Sequence, residues 1–254
     1  MTGATRGIGA RIAAELAAAG ARVTAVARNA PELAARAEEL GARALVADLS
    51  DAAQRAGLVA RAERQADRPV DVLVNCAGVD GVTAFSDVDG AVLEHVVQVN
   101  LVAPMELSRQ AVPGMRGRGR GHVVNVSSGF SASLAPGLTP YCASKAGLSH
   151  FTAGLRLELT GTGVFTTLVE LGPVRTSMYG DIERHRLAGP ALQRLLRLCL
   201  VRAVEPEAVA QRVVAAIRDR QAHVVLPRRM LSAVAPTWAP RRATQLLLSG
   251  LPKH

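Results

Sequence analysis

The sequence predicts an α/β fold of three αβα layers, in which a doubly wound parallel sheet carries helices on both faces. Three observations predict it. Short runs such as Arg22–Ala27 and Val70–Asn75 are nearly continuous in aliphatic and β-branched residues, as strands covered on both faces must be. These runs alternate with Ala-, Leu-, Glu- and Arg-rich stretches whose apolar residues recur at helical spacing. The first such stretch is entered straight from a glycine turn, Thr2-Gly3-Ala4-Thr5-Arg6-Gly7-Ile8-Gly9.

The expected strands are Arg22–Ala27, Ala42–Ala47, Val70–Asn75, Gly121–Val126, Val164–Leu171 and His223–Leu226. Helices are expected over Ile8–Ala19, Pro31–Leu40, Ala52–Gln65, Ala91–Val112, Tyr141–Leu159, Pro190–Val201 and Pro206–Asp219. Right-handed crossovers between such strands give a Rossmann-type layout. The run Gly117-Arg118-Gly119-Arg120-Gly121 is expected to be a surface turn before a strand. With no internal repeat and no long linker, 1–254 is expected to form one domain. One element departs from the pattern: the first strand is apparently missing from the N-terminus, because no apolar run precedes the glycine turn. That strand is central in a doubly wound sheet, and its loss would leave two interior edges unpaired. The cost would exceed the ~5–15 kcal/mol stability of a domain. We therefore expect the native chain to begin several apolar residues before Met1. If Met1 is the true start, we expect a weakly folded or inactive product.

A chain of 254 residues that is 49% hydrophobic can bury a core without disulfides or structural metal. Its hydrophobic content excludes a disordered chain, and no run reaches the ~18 apolar residues of a membrane span. The first residues do not read as a signal peptide. Cys76, Cys142 and Cys199 form no close pair, which disfavours a disulfide framework or a zinc site and fits a reducing, cytoplasmic setting. No metal is expected. Charge is unevenly spread. Residues 1–183 carry 17 basic and 18 acidic side chains, a net −1, whereas 184–254 carry 13 and 3, a net +10. A basic end of this kind is either a solvated face or a surface for an anionic substrate, a membrane or nucleic acid. Nucleic acid is disfavoured, because Trp238 is the one aromatic residue there on which a base could stack.

The glycine turn allows close approach of a pyrophosphate, with the N–H groups of a helix start facing its oxygens. Gly3, Arg6, Gly7, Ile8 and Gly9 are the candidate contacts. A dinucleotide site that prefers NAD places an acid at the end of the second strand, to bind the ribose hydroxyls. Here Ala27-Arg28 stands at that place, and Arg6 lies within the turn. Guanidinium forks pair well with phosphate, so two arginines and no acid favour NADP(H) over NAD(H). Asp48-Leu49, after the third strand, is placed to touch the adenine end. Asp48 could equally cap the following helix.

Tyr141-Cys142-Ala143-Ser144-Lys145 puts a phenol and an ammonium on one face of a helix. Only two lysines, Lys145 and Lys253, occur in the chain, so this placement is informative. A fixed ammonium nearby is expected to lower the tyrosine pKa and so suit it to proton transfer at a forming alkoxide. Ser127-Ser128 closes a strand upstream, where a serine hydroxyl could hydrogen-bond the substrate oxygen.

With these residues in place, the chain resembles the ordinary-length branch of the short-chain dehydrogenase/reductase family over nearly all its length. The glycine motif matches Gly3, Gly7 and Gly9. The family's Asn-Asn-Ala-Gly appears as Asn75-Cys76-Ala77-Gly78. Its structural asparagine matches Asn100, its serine Ser128, and its Tyr-x-x-x-Lys Tyr141 and Lys145. Its Pro-Gly-Pro segment appears as Leu171-Gly172-Pro173-Val174-Arg175-Thr176, with leucine for the first proline. The resemblance implies hydride transfer between a nicotinamide and a carbonyl carbon. It implies Tyr141 as acid/base, Lys145 lowering the Tyr141 pKa and binding the nicotinamide ribose, Ser128 orienting the carbonyl, and Asn100 holding a water linked to Lys145. It also implies cofactor contacts at Asn75, Ala77, Gly78, Pro173, Val174 and Thr176, and a homodimer or homotetramer.

By the same resemblance, residues 177–204 cover the substrate. Met178, Tyr179, Ile182, Leu187, Leu192, Leu195, Leu196 and Cys199 alternate there with Arg184, Arg186, Arg194, Arg197 and Arg202. This amphipathic lid fits an apolar carbonyl or alcohol substrate with an acidic group, or equally a subunit interface or core packing. The basic tail 228–254, with Arg229, Trp238, Arg241, Arg242 and Leu246-Leu247-Leu248, could dock a neighbour or, as a lesser expectation, touch an anionic membrane. The alternative to an enzyme is a catalytically weak NADP-binding scaffold or sensor.

Overall fold

The structure, a computed structural model, describes residues 1–247, with side chains described as far as Pro240 except Ala233. The glycine turn opens into α1 (Gly7–Ala18), followed by β1 (Thr24–Ala27), α2 (Ala30–Glu39) and β2 (Arg43–Val46). Then come α3 (Ala52–Arg55), α4 (Leu58–Ala66) and β3 (Val72–Asn75). Next are α5 (Gly90–Val97), α6 (Ala103–Gly117) and β4 (Gly121–Ser128). The chain continues through α7 (Thr139–Glu158), β5 (Val164–Leu171), α8 (Ser177–Arg184), α9 (Ala188–Arg197) and α10 (Pro206–Arg218). It closes with β6 (His223–Leu226) and α11 (Leu231–Leu247).

All six expected strands form, and all pair in parallel, in two sheets ordered β1-β2 and β3-β4-β5-β6. The lane between the sheets is occupied by Met1–Gly3. The Thr2 N–H donates to Val74 O at 2.9 Å, the Gly3 N–H to Val26 O at 3.0 Å, and the Val26 N–H to Met1 O at 2.8 Å. Thr2 is also in parallel register with Val26. The tip of the central strand is therefore present, and it hands the chain directly to the glycine turn between β1 and β3.

Helices cover both faces. On one, Ile12 of α1 and Val209 and Val213 of α10 pack on Val74, Val124 and Val169. On the other, Leu58 of α4 and Leu107 and Met115 of α6 pack on Leu73 and Val123. Each such aliphatic side chain stabilises the fold by about 1.5–3 kcal/mol on burial.

The helices depart from expectation in four places. Ala52–Gln65 breaks into α3 and α4 at Gly57, whose φ of +62° is the left-handed conformation that glycine adopts without strain. The expected helix over Ala91–Val112 is interrupted by a π-turn at Gln98–Val102 that carries Asn100. The segment Ser177–Arg184 is helical (α8), capped by Thr176, whose hydroxyl accepts the Tyr179 N–H at 3.3 Å. The tail forms α11 despite Pro236 and Pro240, residues that argue against a helix in the sequence. Arg241, Arg242, Leu246 and Leu247 have no described side chains, and Leu248 lies outside the described residues. Among the described residues, no helix is long and apolar enough to cross a membrane, and no side-chain cluster could hold a metal ion.

Candidate active site

A cavity of about 470 Å³ opens at the C-terminal ends of the strands, where α/β sheets of this topology bind ligands. At one end its wall is the glycine turn. Gly3 sits at φ +69°, and a Cβ there would lie 2.8 Å from Ala77 Cα. A Cβ on Gly9 would lie 1.9 Å from Gly3 O, so the turn folds onto the start of α1 only with glycine at that position. Thr2 fastens the turn to β3: its hydroxyl oxygen accepts the N–H groups of Cys76 at 3.1 Å and Ala77 at 3.2 Å. This backbone-lined hollow at a helix N-terminus, with Arg6 and Arg28 on its rim, fits the phosphates of a dinucleotide. Ile8, Asp48 and Leu49 continue the lining. Asp48 is occupied with Ser50, accepting its N–H at 2.8 Å and its hydroxyl at 2.7 Å. These bonds, with Arg28 and His95 nearby, hold the Asp48 carboxyl below its usual pKa.

Midway, Ala77, Gly78, Pro173, Val174 and Thr176 line the same cavity, as expected. Val174 pairs with Val204, and the Val204 N–H donates to Pro173 O at 2.9 Å, so this wall is tied to the loop after α9. Leu171 stands where the family motif has its first proline. It ends β5 in register with both Ser128 and Leu226.

Ser128, Tyr141 and Lys145 meet at the cavity's centre. Ser128 ends β4, and Tyr141 and Lys145 lie one turn apart on the buried face of α7. Lys145 Nζ is 5.8 Å from the centre of the Tyr141 ring and donates to Val126 O at 3.0 Å. Burial dominates the electrostatics. It pushes the Tyr141 phenol up to about 12, with Asp80 adding to the rise and a hydrogen bond from Ser128 opposing it. Burial also lowers Lys145 to about 8. The sequence leads to the expectation of a lowered phenol pKa; in the protein alone it is raised instead, because burial disfavours the phenolate.

Two predicted site residues do not reach the cavity. The Asn75 amide donates to Asn125 Oδ1 at 2.8 Å across the β3–β4 pair and is buried there. Asn100, fully buried in its π-turn, clamps the loop after β3. Its Oδ1 accepts the Val79 N–H at 2.9 Å, and its Nδ2 donates to Val79 O at 2.8 Å and Ser144 Oγ at 3.1 Å. It remains beside Lys145, since a Cβ on Gly78 would touch both Asn100 Oδ1 at 3.4 Å and Lys145 Nζ at 3.5 Å. Conversely, sequence reasoning missed Asp80, His95, Phe130, Ser133 and Met230, which all line the cavity. Asp80, two residues past Gly78, was the one with a positional signal.

Met178, Tyr179, Ile182, Leu192 and Leu195 close the far end. Leu187, Leu196 and Cys199 do not line it, and neither do Arg184, Arg186, Arg194, Arg197 or Arg202.

This geometry agrees with what the chain is similar to. The family described as short chain dehydrogenase matches residues 1–187, and the chain belongs to that family, which makes it an oxidoreductase by membership. It is 34% identical over 232 residues to ketoacyl reductase HetN of Nostoc sp., covering 89% of this chain and 77% of that protein. It is 35% identical over 235 residues to glycine betaine reductase ATRR of Emericella nidulans, where it covers 89% of this chain but spans only 18% of that longer protein. Among solved structures, a short-chain dehydrogenase from Sphingobium yanoikuyae in complex with NADPH superposes with a TM-score of 0.80 at 27% identity, covering 99% of this chain and 95% of the other.

Proposed function

We propose that the protein is an NADP(H)-dependent oxidoreductase that interconverts a ketone or aldehyde with an alcohol. The observation that carries this is the convergence of Ser128, Tyr141 and Lys145 in one cavity with a glycine-built phosphate cradle. A bound nicotinamide dinucleotide supplies or accepts the hydride. The chain's own residues do the rest. Arg6 and Arg28 hold the extra phosphate that distinguishes NADP from NAD. The Ser128 hydroxyl orients the carbonyl oxygen. Tyr141 Oη carries the proton delivered to that oxygen; with its pKa raised to about 12 by burial, the phenol is neutral at pH 7 and holds the proton it donates. Lys145, still largely protonated at neutral pH, holds positive charge beside the developing phenolate and is available to the ribose. Asn100 acts from behind, fixing Val79 and the Lys145 side of the cavity.

Residues 177–204 serve as the substrate lid and 228–254 as a basic tail of a single domain over 1–254. Exposed Val92, Leu93 and Met105 on α5 and α6 support a homodimer or homotetramer, and the free cysteines support a cytoplasmic setting.

The test is loss of NADPH absorbance with a panel of carbonyl compounds, beside Tyr141→Phe. We expect turnover by the parent and a fall of about 10²–10⁴-fold in the variant, with NADPH affinity preserved. A variant that turns over like the parent removes Tyr141 from its role.

A further inference from the structure

The last quarter of the chain is strongly basic, yet none of its described basic side chains lines the cavity. None of the five lid arginines lines it, and among the described residues the charged groups that line its substrate end beside Lys145 are two acids, Asp80 and Asp181. Asp181 is largely exposed and already answered: its Oδ1 accepts from Arg184 at 2.7 Å. Asp80 is different. It is half-buried and takes part in no ion pair among the described residues. Its carboxyl is raised above the usual range by burial and by Asp181, and held by the N–H groups of Val82 and Gly81. The loop that carries it is rigidly placed. Gly81 sits at φ +58° against Val96, the Thr83 N–H donates to Gly137 O at 3.0 Å, and Asn100 grips Val79 from the other side. Asp80 also stands near enough to Tyr141 for its charge to disfavour the phenolate.

We propose that Asp80 is a specificity-determining residue: it makes the substrate end of this cavity select neutral or cationic carbonyl compounds and reject those that carry a carboxylate. This rests on the reading that the cavity receives a carbonyl compound at Tyr141. An unpaired carboxylate in a partly dry cavity repels a second anion over several ångströms and attracts a cation. An ionised carboxylate only accepts hydrogen bonds, so it also favours a substrate hydroxyl or ammonium group. The acidic substrate group that the basic lid implies from sequence is therefore replaced by its opposite, because the arginines lie outside the cavity and Asp80 lies within it.

The test uses levulinate, methyl levulinate and levulinoylcholine, three ketones that share an acyl chain and differ in charge. Calorimetric titration into the full chain saturated with NADPH reads their affinities, and NADPH consumption reads kcat/KM. We expect both esters to bind at least about tenfold more tightly than levulinate, with the choline ester at least equal to the methyl ester. In Asp80→Asn the ester-to-acid ratio should fall by about tenfold, and in Asp80→Glu it should be retained. Reading the ratio within each variant cancels any general loss, and the parent protein alone already tests the order. Levulinate binding as well as its methyl ester, no binding by either ester, or an unchanged ratio in Asp80→Asn overturns the proposal. Binding in the expected order without NADPH consumption leaves the charge selection standing and overturns the reductase activity instead.

Discussion

On the α1 side the cavity wall is backbone: Gly3, Gly7 and Gly9 press against Ala77, Thr176 and each other. On the α8–α9 side it is side chain: Met178, Tyr179, Ile182, Leu192 and Leu195 close over a space whose shape they set by their own bulk. A backbone wall tolerates almost no change at Gly3 and Gly9, because a single added carbon there collides with main-chain atoms that cannot swing away. A side-chain wall can be re-cut residue by residue while the sheet beneath it stays put. One half suits a fixed ligand and the other a variable one.

Gly9→Ala should break the first half outright. Its Cβ would sit 1.9 Å from Gly3 O, so the turn must open. We expect NADPH affinity to fall by about a hundredfold and stability by about 1–3 kcal/mol, measured by calorimetric titration and thermal unfolding. Unchanged affinity would mean that the turn is not a cofactor wall. A smaller effect should follow Arg28→Glu. The arginine is exposed and removable without collapse, and we expect the preference for NADPH over NADH to drop by about tenfold, read from Kd for both cofactors. Equal loss for both would show that Arg28 does not touch the distinguishing phosphate. The smallest effect belongs to the other wall. Leu195→Ala should change KM for a carbonyl substrate a few-fold and leave NADPH affinity where it was. A large loss of cofactor binding would erase the distinction between the two halves.

The same contrast explains what could be read from the sequence. Glycines at 3, 7 and 9 and a tyrosine four residues before a rare lysine are local patterns, and local geometry decides their role. Ser128 follows from its place at a strand end. Asn75 and Asn100 carry equally strong motif signals, but they face inward to a partner strand and a neighbouring loop, which only the register of β3 on β4 and the π-turn reveal. Asp80 and Met230 reach the cavity from a loop after β3 and from the segment after β6, so no spacing in the chain announces that they meet. The phenol's pKa departs from the sequence expectation for a related reason: helical spacing predicts the nearby ammonium, whereas burial depends on everything packed around it.

Trp238 is the chain's single tryptophan. It lies buried where α11 meets β5, its indole N–H donating to Glu170 Oε2 at 3.1 Å and its ring centre 4.2 Å from that of His223. Tryptophan emission from this protein therefore arises at one seam, one residue before the end of the strand that pairs with Ser128. Any event that loosens the closing helix from the sheet, whether ligand entry, acid or heat, writes itself into the colour and brightness of that light, and the molecule carries a native optical gauge of how firmly its tail is seated.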